Sequence, residues 1–291
     1  MLPVPKGATV ATETTSTSSK AWSPDLVTFT PSDVIGDALV LQASTVAGTI
    51  EGDEPVLRVA YVDDDGAEFV AEADEIPEAD PALSEVTVAT GKVAQLVRLS
   101  REQYVQSNAA QMLSDSVRRA VVKRADQAFL TQAAPTSPEV TPPAGLLNVD
   151  GITDGGDVAD DLDGLVDILA GISAAGGTAT NILLSPTAWA SLRKFKAGTG
   201  SAQSLLGAGT VDAATSLLGV PVLVSNALTG ASGLVIDKSA VVSAVGQVQV
   251  ATSSDVYFAS DSVGLRCTFR FGATVVRPDR VASFTVTAPT D

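Results

Sequence analysis

The sequence predicts an α+β fold that combines one long helix, a smaller α/β unit and antiparallel β structure. Three observations support this prediction. A helical periodicity follows Ser100 without a Pro or Gly until Pro135, short helical and strand-like stretches alternate through residues 160–236, and apolar and polar residues alternate through residues 265–271. Periodicities of 3.6 and 2 that occupy separate stretches of one chain indicate such a mixed architecture.

The composition favours a folded protein and excludes many enzyme classes. The 291 residues are 45% hydrophobic, which is enough to form one large core or two moderate ones. The net charge of -16 means that the molecule as a whole repels phosphate. The chain contains no histidine and therefore lacks the commonest general base and metal ligand. We interpret the single Cys267 as a small core residue.

No segment of the sequence has the pattern of an export signal or of a membrane span. The N-terminal residues contain no apolar stretch of signal-peptide length, and no run reaches the roughly 18 apolar residues that cross a bilayer. We therefore expect a protein that is made and kept in the cytoplasm and does not bind a membrane.

The N-terminal segment is predicted to be an arm. Residues 7–20 are mostly Ala, Thr, Ser and Gly, which bury too little apolar surface to offset the entropy of ordering them. Trp22, Leu26, Val27 and Phe29 then supply apolar anchors. These anchors indicate that the arm docks either on its own core or on a neighbouring copy.

Residues 51–85 are predicted to form a long acidic β-hairpin. They contain thirteen acids and one base, Arg58, which accounts for -12 of the net charge of -16. The segments VLRVAYV and AEFVAEA flank the dipeptide Asp65-Gly66, a typical tight-turn sequence. A calcium loop is disfavoured because Tyr61 stands where an acidic ligand is required.

Ser100 opens the strongest helix signal. Ser100 and Gln103 form a capping-box pattern, and a helix from about Arg101 to Ala133 would be about 50 Å long. Apolar residues recur along it at helical spacing: Tyr104, Val105, Ala109, Met112, Leu113, Val117, Ala120, Val121, Phe129 and Leu130. Its second half carries the bases Arg118, Arg119, Lys123 and Arg124. They form either an ordinary solvated surface or a contact with the acidic hairpin of a neighbouring copy.

A second, α/β subdomain is predicted after the Pro-rich residues 135–143. A helical pattern over residues 162–172 is followed by the strand NILLS, a helix from Pro186, the strand GVPVLVS and a strand pair within GLVIDKSAVVSAV. The acids Asp157, Asp160, Asp161 and Asp163 are interpreted as complementing a helix dipole rather than as metal ligands. The alternation of Leu265, Cys267, Phe269 and Phe271 with polar residues predicts a half-buried antiparallel sheet.

The order of these parts resembles the Hong Kong 97 fold of tailed-phage major capsid proteins. The most specific stretches are EADEIPEADPALSEVTVATGKVAQLVRLSREQ, LLGVPVLVSNAL and FRFGATVVRPDRVASFTV. The resemblance implies an N-terminal arm over 1–35, an extended loop over 50–82, an inserted α/β axial domain over 141–244, and a peripheral domain that contains the long spine helix. The peripheral domain comprises residues 36–49, 83–140 and 245–291.

The resemblance further implies a shell subunit rather than an enzyme, without catalytic residues, cofactors or metals. Copies of the chain would form pentamers and hexamers of an icosahedral shell, assembled in the bacterial cytoplasm around double-stranded DNA that is bound without sequence specificity. A separate scaffolding protein is expected because the chain begins at Met1 without a helical prefix. A portal and, as an option, a decoration protein complete the expected partners.

Two groups of alternatives remain open at the level of sequence. An encapsulin-like nanocompartment has a similar fold, whereas a carboxylate-based enzyme or a surface protein belongs to a different class. For the shell subunit, the candidate contacts between copies are charged residues of the spine and the hairpin, together with one aromatic residue of the arm. They are Arg118, Arg119, Lys123, Arg124, Asp63, Asp64, Asp65, Glu68, Glu72 and Trp22.

Overall fold

The computed structural model describes residues 26–29, 35–50, 55–62, 69–70, 83–105, 109–198, 203–206 and 216–288. The helices in these ranges are α1 Leu39–Gln42, α2 Arg101–Val105, α3 Ala109–Thr131, α4 Asp163–Ala174 and α5 Pro186–Leu192. The strands are β1 Leu26–Phe29, β2 Thr45–Ile50, β3 Val56–Val62, β4 Leu83–Ala89, β5 Gly91–Ser100, β6 Thr153–Val158, β7 Asn181–Leu184, β8 Ser216–Leu217, β9 Val220–Val224, β10 Ser232–Ile236, β11 Val241–Gly246, β12 Val248–Tyr257, β13 Ser262–Val275 and β14 Val281–Val286. The α+β class predicted from the sequence is confirmed.

Strand β13 is the centre of the first sheet. Its residues 262–268 pair antiparallel with both β5 and β12, so these two strands lie along opposite edges of β13. Strand β11 pairs antiparallel with β13 on the same edge as β12. Strand β1 pairs antiparallel with β12, and β2 pairs parallel with β11. The predicted antiparallel sheet near the C-terminus is thus confirmed, and part of the arm, Leu26–Phe29, docks on its own subunit.

Helix α3 packs on one face of this sheet and forms the main core. Val117, Val121, Ala125 and Phe129 recur every four residues and are all buried against that face. The sheet contributes its inward residues, Leu265, Cys267, Phe269 and Phe271. Full burial of each large apolar side chain is worth roughly 1.5–3 kcal/mol. Cys267 is part of this core, as predicted, and burial raises the pKa of its thiol.

The spine helix begins where the sequence predicts. Helices α2 and α3 both lie within the predicted span, and residues 106–108 between them lie outside the described ranges. Helix α3 alone has 23 residues and is about 35 Å long. The start of α2 is attached to the end of the first sheet, because Arg101 N–H donates to the Asp261 carbonyl at 3.0 Å and Arg101 Nε donates to its carboxylate at 2.6 Å.

The second sheet has the order β6-β14-β10-β7-β9-β8 and forms the predicted α/β unit. Helix α4 packs on it through Leu165, Ile168 and Ile172, and α5 packs on it through Ala188 and Leu192. The side-chain oxygen of Ser185 caps α5 by accepting the Ala188 N–H at 3.0 Å. This unit therefore has a core of its own.

The chain crosses between the two sheets at Asp237. The predicted strands of GLVIDKSAVVSAV exist as β10 and β11, but the expectation that they pair is wrong, because β10 lies in the second sheet and β11 in the first. The buried Asp237 carboxylate holds the crossing by accepting N–H groups from Thr178 at 3.1 Å and Ser239 at 2.9 Å. Strand β14 also lies in the second sheet, although the resemblance groups residues 245–291 with the peripheral domain.

The hairpin pairs differently from its prediction. Strand β3 is antiparallel to β4, from Val56 opposite Ala89 to Val62 opposite Leu83, so AEFVAEA is not its partner. Phe69 and Val70 of that segment lie outside strands and are exposed, whereas Asp65-Gly66 lies outside the described ranges. Val88 of β4 is completely buried, and this burial favours the later partner. Gly91 and Lys92 are the first residues of β5, which follows β4 closely in the chain.

Candidate assembly surfaces

The four bases predicted on the spine helix lie on the surface of α3 and are spread over more than one side of it. Arg118, Arg119, Lys123 and Arg124 are all exposed, while their neighbours Val117 and Val121 point into the core. Arg124 Nη2 donates to the Gln132 side-chain oxygen at 2.8 Å. A partner can therefore reach these bases. Their role as a contact between copies stays a prediction.

The other predicted contact residues cannot be located in the same way. The acids Asp63, Asp64, Asp65, Glu68 and Glu72 lie outside the described ranges. Trp22 of the arm also lies outside them. Whether these side chains touch a neighbouring copy therefore stays a prediction.

A second basic surface lies on the other side of the first sheet, and the sequence analysis does not identify it. Strands β5 and β13 pair with Lys92 opposite Arg270 and Leu96 opposite Arg266, and Arg98 is two residues beyond Leu96. Directly opposed residues share a face of a sheet, as do residues two apart on one strand. We call the surface formed by Lys92, Arg98, Arg266 and Arg270 the basic sheet face. Leu96, 59% exposed, lies in its middle.

Two cations of this face contact side chains of their own subunit. The Arg98 guanidinium lies over the Tyr257 ring, 4.8 Å from its centre, and Arg270 Nη1 donates to Thr90 Oγ1 at 3.0 Å. The ion pairs of Arg58 with Glu85 and of Arg101 with Asp261 do not involve Lys92, Arg98 or Arg266. No carboxylate of the described residues therefore neutralises Lys92, Arg98 or Arg266.

The base of the β3–β4 hairpin rests on this same side of the sheet. Val88 packs against Val242 and Ala244, which are opposite Thr274 and Gly272 of β13 and thus share the face of Arg270. The backbone of β4 crosses directly above Gly272, where an added Cβ would lie 1.9 Å from the Ala89 carbonyl oxygen. Only glycine permits this approach, which determines the side from which the hairpin leaves the subunit.

Asp126 is the main perturbed carboxyl group in the described part of the chain. It accepts the Leu39 N–H at 2.8 Å and so satisfies the first N–H of α1. Partial burial beneath that helix raises the pKa of its carboxyl to about 6, and the hydrogen bond from Leu39 opposes this effect. The group thus connects α3 to α1 within the core and has a structural role.

The described residues do not cluster the side chains that bind metals. They contain no group of three or more metal-ligating side chains. A cleft of about 230 Å³ between α3 and β5 is lined by the cations Lys92 and Arg124 and by no carboxylate. None of the described helices combines the length and the apolar character required to cross a bilayer.

Comparison with known proteins identifies the family. Residues 38–286 match the phage capsid family, whereas the comparison with curated proteins finds no match. A solved structure from Microbacterium phage Oxtober96 is 15% identical with a TM-score of 0.67, over 86% of this chain and 91% of that one. The capsid of an empty GTA particle is 19% identical with a TM-score of 0.65, over 86% and 90%.

A third solved structure extends over nearly the whole chain. The capsid of a native GTA particle is 17% identical with a TM-score of 0.64, and the match covers 99% of this chain and 96% of that one. The architecture predicted from the order of elements is confirmed by these shared folds, and neither the family nor the folds support the encapsulin, enzyme or surface-protein alternatives. The chain belongs to the phage capsid family and is a major capsid protein with the Hong Kong 97 fold.

Proposed function

We propose that this subunit assembles into pentamers and hexamers of an icosahedral shell, which encloses the double-stranded DNA of a tailed phage without sequence-specific contacts. The observation that carries the proposal is the β3–β4 hairpin, a two-stranded ribbon that is anchored on the subunit at its base through Val88. An isolated two-stranded ribbon is marginally stable in water, so such a projection gains stability from a neighbouring copy.

Exposed apolar groups in the same region support this proposal. Phe69, between the two hairpin strands in sequence, is fully exposed, and Val70 beside it is 37% exposed. Aromatic side chains are enriched in protein interfaces, where they supply large contact areas. Covering Phe69 with a neighbouring subunit would remove this apolar surface from water.

The domain assignment implied by the resemblance is part of the proposal. The axial domain, residues 141–244, would surround the centre of each pentamer and hexamer, and the extended loop, residues 50–82, would lie across the peripheral domain of the next subunit. The separate core of the α/β unit supports a division into two domains, although β14 belongs to the α/β unit and β11 to the first sheet. The part of the arm before Leu26 would add a further contact between copies.

The proposed role is structural rather than catalytic. Shell subunits act through many repeated contacts, each of them modest, which together stabilise a closed assembly. The cleft between α3 and β5 contains two cations and no pair of carboxylates of the kind that glycoside hydrolases use. This composition supports a role without chemistry on a substrate.

The proposed partners follow from the family. Besides further copies of itself, the subunit would interact with a scaffolding protein and a portal, and some shells of this kind also carry a decoration protein. Assembly would take place in the cytoplasm of the bacterial host, and the mature protein would reside in the virion capsid.

Electron microscopy of the expressed protein tests the proposal. The chain would be produced alone and together with its neighbouring genes, and the products would be imaged in negative stain. We expect closed or tubular shells built from pentameric and hexameric units, with DNA in particles from infected cells. A uniformly monomeric product under both conditions would contradict the proposal, and shells that contain proteins but never DNA would favour a nanocompartment.

A further inference from the structure

We propose that the cleft between α3 and β5 binds a small organic anion, namely a carboxylate attached to one ring or one branched apolar group. The inference goes beyond the proposed function, since neither the assembly of copies nor the enclosure of DNA requires such a site. It is carried by the enclosed space, by the two cations that line it, and by the apolar residues and the strand edge beside them.

The cleft exists because small residues meet where three segments of the chain converge. The second half of α3, the first residues of β5 and residues 142–144 surround a volume of about 230 Å³. Five of the lining residues have side chains no larger than a methyl group: Gly91, Ala94, Ala128, Ala144 and Ala273. A cavity of about 150 Å³ accommodates benzene, so this cleft has room for a ring and a carboxylate.

Hydrogen bonds within the subunit hold the walls of the cleft in place. The backbone carbonyl of Gln132 accepts the Gly145 N–H at 2.8 Å and the Asn148 Nδ2–H at 2.8 Å. A Cβ at Gly145 would lie 2.5 Å from the backbone nitrogen of Gln132, so the chain that follows Pro142 and Pro143 passes directly against the end of α3. Binding sites for small molecules are usually preformed in this way.

One side of the spine helix carries polar groups of the cleft. Arg124 and Ala128 of α3, and Gln132 directly after its end, are four residues apart and so line the same side. The hydrogen bond from Arg124 Nη2 to Gln132 Oε1 orients the guanidinium and uses one of its five N–H groups. Lys92 of β5 is the second cation, and among the described residues no carboxylate lines the cleft. An entering anion therefore meets two cations without a competing acid.

The floor of the cleft favours an organic anion over phosphate. Phe129 of α3 and Phe271 of β13 both line it. Gly91 lies directly opposite Phe271 in the β5–β13 pair and has no side chain to cover that ring. An apolar group at this place leaves water and packs against aromatic rings. Inorganic phosphate has no apolar part and would leave the floor uncovered.

The edge of β5 offers a third kind of contact. Residues 91–94 line the cleft consecutively, whereas side chains of a strand alternate between its two faces. These four residues therefore contribute the edge of the strand, with its backbone N–H and C=O groups, while the other edge pairs with β13. Such an edge can bind the amide groups of a peptide. The carboxylate at the end of a polypeptide and a free carboxylic acid are thus two sources of the same chemistry.

Ligand-observed NMR with a defined probe tests the site. The probe is N-acetyl-L-phenylalanine, which combines a ring, a carboxylate and one amide, and it would be titrated into the full-length, unassembled protein. We expect saturation transfer to the ring at millimolar probe concentrations. The affinity should be about tenfold higher than that of N-acetyl-L-phenylalanine amide, because the amide lacks the charge that Lys92 and Arg124 attract.

Variants locate the site in the cleft. Arg124→Gln and Lys92→Gln each remove one cation and should weaken binding of the probe about tenfold, whereas Arg124→Lys should retain most of it. Ala128→Leu fills the space and should abolish binding. Lys194→Gln, at an exposed cation outside the cleft, is the matched control and should bind the probe like the unmodified protein. Urea midpoints establish that each variant is folded.

A short peptide distinguishes the two sources of the ligand. Acetyl-Gly-Ser-Gly-Phe with a free carboxylate would be titrated beside the probe. Tighter binding of the peptide would support the end of a polypeptide as the ligand, because the edge of β5 then takes part. Weaker binding of the peptide would support a free acid.

Four results would overturn the inference. The first is the absence of saturation transfer from the unmodified protein, and the second is equal binding of the acid and its amide. The third is unchanged binding in folded Arg124→Gln and Lys92→Gln, which would place the probe elsewhere. The fourth is displacement of the probe by an equal concentration of inorganic phosphate, which would mean that the cleft selects charge alone.

Discussion

Replacing Gly272 with alanine should detach the hairpin from the first sheet. The Cβ added at this position would lie 1.9 Å from the Ala89 carbonyl oxygen, about 1.5 Å closer than ordinary van der Waals contact begins. The carbonyl oxygen belongs to the backbone of Ala89, and the Cβ is bonded directly to the backbone of residue 272. No side chain can therefore rotate to relieve the overlap. Strand β4 must therefore move away from β13, and the hairpin changes its direction.

The cost follows from the contacts at the hairpin base. Lifting β4 exposes the completely buried Val88, whose burial is worth roughly 1.5–3 kcal/mol. It also breaks the hydrogen bond from Arg270 to Thr90, which contributes about 1 kcal/mol. We expect the free energy of unfolding to fall by about 3 kcal/mol, equivalent to a decrease in Tm of roughly 5 °C for a protein of this size.

Urea denaturation of unassembled subunits, followed by circular dichroism, measures this loss, and sedimentation measures shell yield. Gly171→Ala is the matched control, because its added Cβ meets nothing within 4 Å and lies inside α4. That control should raise stability by about 0.5–1 kcal/mol and leave assembly unchanged. An unfolding midpoint and a shell yield that are unchanged in Gly272→Ala would refute the reasoning.

Three further predictions concern the core, the pH dependence and the spine. Phe195→Ala should lower the free energy of unfolding by about 3–5 kcal/mol because the Phe195 side chain is completely buried. Phe258, whose side chain is 84% exposed, provides the control, and Phe258→Ala should change the free energy of unfolding by less than about 0.5 kcal/mol. Equal urea midpoints for the two variants would contradict this prediction. Because the pKa of Asp126 rises from 3.8 to about 6 on folding, the folded state retains a proton that the unfolded chain releases, and stability should fall by up to about 3 kcal/mol as pH rises from 4 to 6. Asp126→Asn keeps an acceptor for Leu39 and should flatten this dependence, while the exposed Asp167→Asn should not; an unchanged pH slope would exclude Asp126 as its source. Reversing Arg118, Arg119, Lys123 and Arg124 to Glu should leave the subunit folded and reduce shell yield, as measured by sedimentation, and unchanged yield would refute an interfacial role.

Elements that depend on local periodicity were predictable from the sequence. The spacing of Val117, Val121 and Phe129 indicates one buried side of a helix, and the alternation from Leu265 to Phe271 indicates one buried side of a strand. These patterns hold wherever the element packs, because helix and strand geometry alone determine which residues share a side. The order of such elements was sufficient to identify the Hong Kong 97 architecture.

Partners of strands were not predictable in the same way. AEFVAEA and LSEVTVA have similar alternation, and both can pair with VLRVAYV; only the burial of Val88 against Val242 and Ala244 selects the second. Likewise β10 and β11 are adjacent in sequence but join different sheets, since the buried Asp237 turns the chain between the two cores. Both choices depend on contacts between residues distant in sequence.

The candidate contact surfaces also differ in whether the sequence alone could predict them. The sequence by itself determined the acidic character of residues 51–85, the presence of four bases on the spine helix and the exclusion of histidine chemistry, because charge and composition need no structure. Only the tertiary structure placed Lys92 and Arg98 beside Arg266 and Arg270, which are more than 160 residues away along the chain. The pairing of β5 with β13 creates the basic sheet face, since cross-strand register depends on how the whole core packs and is not encoded in either strand alone.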